Sequence, residues 1–113
     1  MRSGSTFERL RQDGRVVRHG VLEFRYLLDG GDGPPRVAFA VSRRAGSAVV
    51  RNRLRRRLRA VMRELGDPAR RPAFPSGDYL IRPRGNAAAA AFVRLRRDAE
   101  HLLARICAGE GPS

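Results

Sequence analysis

Residues Ala40–Leu65 read "AVSRRAGSAVVRNRLRRRLRAVMREL", and the organisation of the chain follows from this stretch. It begins as the end of a strand, "RVAFAVSRR", with Val37, Phe39 and Val41 facing one way and Ala38, Ala40 and Ser42 the other. The small residues of the second face leave a shallow surface on which an extended ligand or a packed helix could lie. Gly46 and Ser47 then break the strand, and Ser47 is a natural helix N-cap. At about 100° per residue, Val50, Leu54, Leu58, Val61, Met62 and Leu65 form one apolar wedge, while Asn52, Arg53, Arg55, Arg56, Arg59 and Arg63 fill the opposite arc. Gly66 and Pro68 end the helix. Seven arginines lie between Arg51 and Arg63, and the one acid, Glu64, comes only at the end. Like charges three or four residues apart on a helix each cost roughly 0.2–0.5 kcal/mol. A group outside the helix must offset that repulsion.

Working outward, Thr6 to Leu10 predicts a short helix capped by Ser5 or Thr6, with Phe7 and Leu10 on one face and Gly14 as its stop. Val21 to Leu28 alternates with period two, Leu22, Phe24, Tyr26 and Leu28 against Val21, Glu23, Arg25 and Leu27, which predicts a strand with one buried face. "DGGDGPP" at Asp29–Pro35 predicts a hairpin loop. "DYLIRPR" is a third strand, with Tyr79 and Ile81 opposing Leu80 and Arg82. Asn86 is positioned to cap a last helix that runs through the alanines to Cys107, with Phe92, Leu95, Ala99, Leu102, Leu103 and Ile106 as its apolar stripe. The predicted fold is α+β, a small two-layer sandwich in the order helix, strand, strand, helix, strand, helix. Its 113 residues make one domain, with an ordered core over about 6–107 and short tails at 1–5 and 108–113.

Charge narrows the function. The chain carries 24 basic residues, all arginine, against 11 acids, for a net charge of +13. Arginine's planar fork grips phosphate and stacks on bases, although a GC-rich genome would also replace lysine by arginine. The magnitude of the charge therefore says more than the choice of residue. An ordinary solvated helix face interleaves acids with bases, yet from Arg43 to Arg59 there are eight arginines and no acid. A membrane-surface helix would want aromatic residues on a free apolar face, and here the core needs that wedge. Nucleic acid remains, because arginine side chains that neutralise phosphates release their counterions. Residue chemistry alone leaves DNA and RNA both open. A lone cysteine, Cys107, fits a reducing compartment and reads as a small packing residue. His19 and His101 have neither metal-ligand spacing nor a paired nucleophile. Met1–Thr6 leads into no apolar signal segment, and a cytoplasmic location is expected. Nothing points to side-chain catalysis, so any chemistry would be carried by a partner molecule.

The central segment resembles the signature of the bacterial ribonuclease P protein subunit: a basic pair after a strand, a glycine-containing turn, then Arg-Asn-Arg and further basic positions along a helix. Arg43 and Arg44 match the pair, Arg51, Asn52 and Arg53 the triplet, and Arg55, Arg56 and Arg59 the positions that follow. The resemblance extends from about Phe7 to Ile106. It implies an arginine-rich helix in a left-handed β-α-β crossover, an exception to the usual handedness. It also implies a protein that binds the catalytic RNA of ribonuclease P and the 5′ leader of precursor tRNA. The RNA, with Mg²⁺, would perform the hydrolysis that matures the tRNA 5′ end, and no protein residue would be catalytic. Arg43, Arg44, Arg51, Asn52, Arg53, Arg55, Arg56, Arg59 and Arg63 would face the RNA, with RNA-bound Mg²⁺ near the Arg51–Arg53 segment. Phe7, Arg11, Val21, Glu23, Arg25, Ala40, Ser42 and Arg82 would line the leader cleft. Arg11 and Arg25 stand where the family frequently has an aromatic residue, so phosphate or guanidinium contacts would take the place of ring stacking, and Glu23 would put a negative charge on the same face. The alternative is a non-catalytic structured-RNA-binding or ribosome-associated protein with the same basic face, and a DNA-binding architectural module is the third reading.

Overall fold

The structure is a computed structural model that describes residues 3–109, with side chains from residue 8 onward. Helix α1 (Ser3–Asp13) is followed by β1 (Arg15–His19), β2 (Leu22–Leu28), β3 (Arg36–Phe39), α2 (Ala48–Leu65), β4 (Gly77–Pro83) and α3 (Phe92–Cys107). The four strands form one sheet in the order β1-β2-β4-β3; β1, β2 and β4 are antiparallel neighbours, and β3 runs parallel to β4. Helix α2 is thus the crossover of a β-α-β unit, as the resemblance implies. It packs beside α3, and the core lies between these helices and one sheet face, where Phe24, Tyr79, Ile81, Leu54, Leu58, Leu65, Leu95 and Leu102 are all fully buried. Helix α1 instead lies against β2 and β4, where Leu10 is buried beside the outward residues of the sheet.

Four expectations are corrected. Strand β1 is absent from the predicted order: its Val16 and Val17 are adjacent, so "RVVRH" shows no alternation, and only Val17 is fully buried. It pairs with β2 through a two-residue turn at Gly20 and Val21. Gly20 has φ +57°, at the position where a type II′ hairpin turn takes glycine, and an added Cβ would stand 2.2 Å from the Asp98 carboxylate. Asp98, 2% exposed, accepts a hydrogen bond from the Val21 N–H at 3.0 Å and another from Arg94 Nε at 3.0 Å. A buried carboxylate in the apolar stripe of α3 therefore fixes that helix to the β1–β2 turn.

Second, Asp29–Pro35 is not a hairpin, because β4 is inserted between β2 and β3. The segment crosses the head of β4 and is fastened there. Arg36 donates to Asp29 at 2.8 Å and to Asp78 on β4 at 2.7 Å, and the Asp29 N–H donates to the Ser76 carbonyl at 3.1 Å. The hydrogen bond from Arg36, together with the Gly31 N–H, pulls the Asp29 carboxyl down to about 2. Third, β3 is shorter than "RVAFAVSRR": after the Ala40 N–H bonds the Ile81 carbonyl at 3.0 Å, the chain leaves the sheet, and Arg43–Ala45 form a 3-10 turn.

Fourth, Asn86 does not cap α3. Ala87–Ala89 form a 3-10 turn with Ala87 buried, and α3 starts only at Phe92, after Ala91. Alanine's helix propensity gives way to its small size, which lets the chain pass close under α2. The first helix is longer than the span Thr6–Leu10 and stops before Gly14 as expected; because it already runs from Ser3, Ser5 and Thr6 lie within it rather than at its cap, and the side chain of Phe7 lies outside the described residues. Tyr79 is buried, its hydroxyl donates to the Pro75 carbonyl at 2.6 Å, and burial pushes its pKa up. Cys107 is exposed rather than packed. No described helix is long and apolar enough to cross a membrane.

Candidate nucleic-acid interface

Helix α2 presents its arginines because its core face is fixed. The Ser47 hydroxyl accepts the Val50 N–H at 3.3 Å and starts the helix, and Leu54, Leu58, Val61, Met62 and Leu65 are buried. Val50 is only partly buried, at the edge of the wedge. Arg53, Arg56, Arg59 and Arg63 are exposed as the periodicity requires, with Asn52 beside them. Arg43 and Arg44 are exposed on the 3-10 turn just before the helix, so the basic pair and the helix face form one surface.

Among the described residues, none of the α2 arginines forms an ion pair with a carboxylate. The acids that form ion pairs do so elsewhere: Asp29 and Asp78 with Arg36, Glu23 with Arg18 and Arg82, Asp98 with Arg94, Glu100 with Arg70, and Glu64 with Arg96. Two members of the exposed arc contact neutral side chains. Arg55 donates to the Asn52 side-chain oxygen at 2.9 Å, and the guanidinium carbon of Arg59 lies 5.9 Å from the centre of the Phe39 ring. Arg51 is half-buried, and its Nε–H has no partner among the described residues. Arg57, absent from the predicted face, serves the architecture instead; it donates to the Ala90 carbonyl at 2.8 Å and ties α2 to the turn before α3. Val49, 74% exposed, sits with Asn52, Arg55, Arg56 and Arg59 around a shallow depression on this face.

The opposite face of the sheet carries an open groove of about 490 Å³ beside α1. Of the eight residues expected in a cleft, Arg11, Glu23, Arg25, Ala40 and Arg82 line it together. Val21 does not; it is buried in the β1–β2 turn, and its carbonyl accepts the Arg84 N–H at 2.8 Å. Ser42 does not either, because the chain has left the sheet there, and it borders a separate depression with Arg44 and Arg84. The side chain of Phe7 lies outside the described residues. Leu10, Phe39 and Leu80 also line the groove. Leu80 was legible as the outward partner of Tyr79 and Ile81, whereas Phe39 belongs by register to the helix side and reaches the groove only because β3 is the sheet edge.

Glu23 sits in this groove at 8% exposure. Arg18 Nε donates to one of its oxygens at 2.8 Å, and an Arg82 nitrogen lies 3.8 Å from the other. Its charge is thereby balanced within the protein, while Arg11 and Arg25 have no carboxylate partner among the described residues. The groove stays cationic. Among the described residues no three His, Cys, Asp or Glu side chains converge in a way that could hold a metal ion.

Comparison with known proteins agrees with this architecture. The profile of the Ribonuclease P family matches residues 1–107. The Ribonuclease P protein component of Thermobifida fusca is 40% identical over the whole of this chain and 79% of its own length. That of Acidothermus cellulolyticus is 34% identical over 94% of this chain and 86% of its own. Among solved structures, the RNase P protein of Thermotoga maritima superposes with a TM-score of 0.78 at 22% identity, covering 93% of this chain and 97% of that one. That of Staphylococcus aureus gives 0.77 at 19% identity, covering 92% and 91%. The strand-turn-helix signature, the arrangement of sheet and helices and these likenesses agree, and the chain belongs to the ribonuclease P protein family.

Proposed function

We propose that this protein is the protein subunit of ribonuclease P and acts by holding two RNAs. The α2 face, with Arg43 and Arg44 at its head, binds the catalytic RNA. The groove lined by Arg11, Arg25 and Arg82 receives the single-stranded 5′ leader of precursor tRNA. Cleavage of the leader, giving the mature tRNA 5′ end, belongs to the RNA and its Mg²⁺. In this reading the protein binds and positions, and no chemical step runs through its residues.

One observation carries the reading: every ion pair of the described chain leaves the α2 arginines without a carboxylate. A surface shaped only for solubility would interleave its charges. A row of unpaired guanidinium groups on a rigid, capped helix suits a folded polyanion whose phosphates lie at fixed positions, which favours structured RNA. The names of the curated relatives support the assignment to this enzyme rather than to another ribonucleoprotein.

The test is cleavage of a precursor tRNA with a 5′ leader by bacterial ribonuclease P RNA at low Mg²⁺, with and without this protein and beside a protein-only control. Strong stimulation with no cleavage by the protein alone is expected. Tight RNA binding without stimulation would instead make it a passive RNA-binding protein.

A further inference from the structure

On the α2 side of the β3 edge lies a second concave surface, of about 390 Å³, which the leader groove does not include. Pro35, Val37 and Met62 give it an apolar floor, and Phe39, Arg59 and Arg63 stand around it. No carboxylate lines it. Phe39 is half-buried, and the Arg59 guanidinium is already paired with its ring at 5.9 Å. Arg63 is exposed and forms no ion pair among the described residues. A concave apolar site with an aromatic–guanidinium pair and a second free guanidinium suits a flat, π-bearing ligand that also carries negative charge. An unstacked nucleotide has both features: its base stacks on aromatic rings or guanidinium planes, and its phosphate takes the remaining arginine.

The position of the site supplies the second argument. Phe39 borders both this depression and the groove on the other face, because β3 is the last strand of the sheet. A strand of RNA passing from the groove to the α2 face has to turn over this edge, and a turning strand unstacks. We propose that Phe39, Arg59 and Arg63 form a seat for one unpaired nucleotide of the leader where that strand leaves the groove and crosses the β3 edge, next to the surface that holds the catalytic RNA. This rests on the RNA-binding reading above.

The experiment titrates a single-stranded 12-nucleotide RNA carrying 2-aminopurine into the full-length protein and follows both affinity and fluorescence quenching. The wild type quenches the probe. Phe39→Leu, which keeps apolar bulk, weakens binding about tenfold and loses most of the quenching, with the salt dependence unchanged. Phe39→Tyr restores both, which separates stacking from a loss of fold. Arg59→Lys keeps the charge but loses the planar group, and it too loses quenching; because Arg59 stands on the α2 side, this assigns the signal to the depression rather than the groove. Arg53→Ala, remote from the seat, weakens binding but keeps the quenching. If the wild type binds RNA and Phe39→Leu and Arg59→Lys match it in affinity and quenching, the seat is refuted while the RNA-binding reading stands. If the wild type binds no RNA, the parent reading fails and the seat with it.

Discussion

Replacing Arg53 and Arg57 by alanine, one at a time, separates binding from architecture within a single run of arginines. Arg53 is exposed and unpaired among the described residues, whereas Arg57 donates to the Ala90 carbonyl at 2.8 Å. Each phosphate contact contributes about 0.7–0.9 to the slope of log affinity against log salt. Between 50 and 200 mM salt, a fourfold change, one contact is therefore worth about a threefold loss of affinity. If Arg43, Arg44, Arg53, Arg56 and Arg63 each neutralise one phosphate, the wild type should lose roughly 250-fold over that range. Arg53→Ala should lose about threefold less, with its melting temperature unchanged. Arg57→Ala should show the opposite pattern. Its slope stays at the wild-type value, while loss of a charged hydrogen bond to a half-buried carbonyl costs about 1–2 kcal/mol and lowers the melting temperature by several degrees. The assay is a filter-binding titration against ribonuclease P RNA at four salt concentrations, paired with thermal melts by circular dichroism. Equal slopes for wild type and Arg53→Ala, or a reduced slope for Arg57→Ala, would refute the division.

Gly20→Ala should destabilise the fold by about 2 kcal/mol or more, because the left-handed conformation and the approach to Asp98 at 2.2 Å act together; Gly30→Ala, at φ +72° with open space around it, should cost only about 1 kcal/mol. Urea denaturation of the two variants compares them directly. Leu58→Ala removes a side chain buried between α2 and the core and should cost about 2–5 kcal/mol, read as a lower urea midpoint with the m-value preserved. The Asp29 carboxyl, followed by NMR, should titrate at about 2 and rise toward the ordinary value near 3.9 in Arg36→Ala, stopping short of it because the Gly31 N–H still donates to it. Since its folded pKa is depressed, whatever the Arg36 pair adds is fully present above about pH 4 and is lost as the pH falls toward 2.

The segments that were legible in the sequence were those with one strong period. The α2 wedge and the alternation of Tyr79 and Ile81 against Leu80 and Arg82 are found as read, since burial on one side leaves the pattern no freedom. Strand β1 was hidden because a short hairpin strand needs only one buried residue, Val17, and its marker was the turn glycine after His19 rather than any periodicity. The sheet order was hidden for another reason. Insertion of β4 between β2 and β3 rests on pairings between distant segments, and the bridge that accompanies it joins Arg36 to Asp29 and Asp78, 7 and 42 residues away in the chain. The same holds for the interface. Exposure of Arg53, Arg56 and Arg63 follows from helix geometry, but the withdrawal of Arg57 depends on Ala90, and the balancing of Glu23 on Arg18, neither of which a helical or strand period can show. Val21 alternates with the strand residues and yet belongs to the turn, so its burial contradicts a pattern it joins only by position.

The Arg36 bridge has a practical consequence for protein engineering. It locks the chain on both sides of the Gly30–Pro35 loop, at Asp29 and at Arg36 itself, and the residues between are largely exposed. The register of β3 against β4 is therefore set by the two anchors rather than by the length of what joins them. Lengthening such a closed loop costs little, about 0.6 kcal/mol per doubling. Gly31–Gly33 is accordingly the place for a short inserted tag or fluorophore site, mounted at the head of the sheet without altering the strand alignment beneath it.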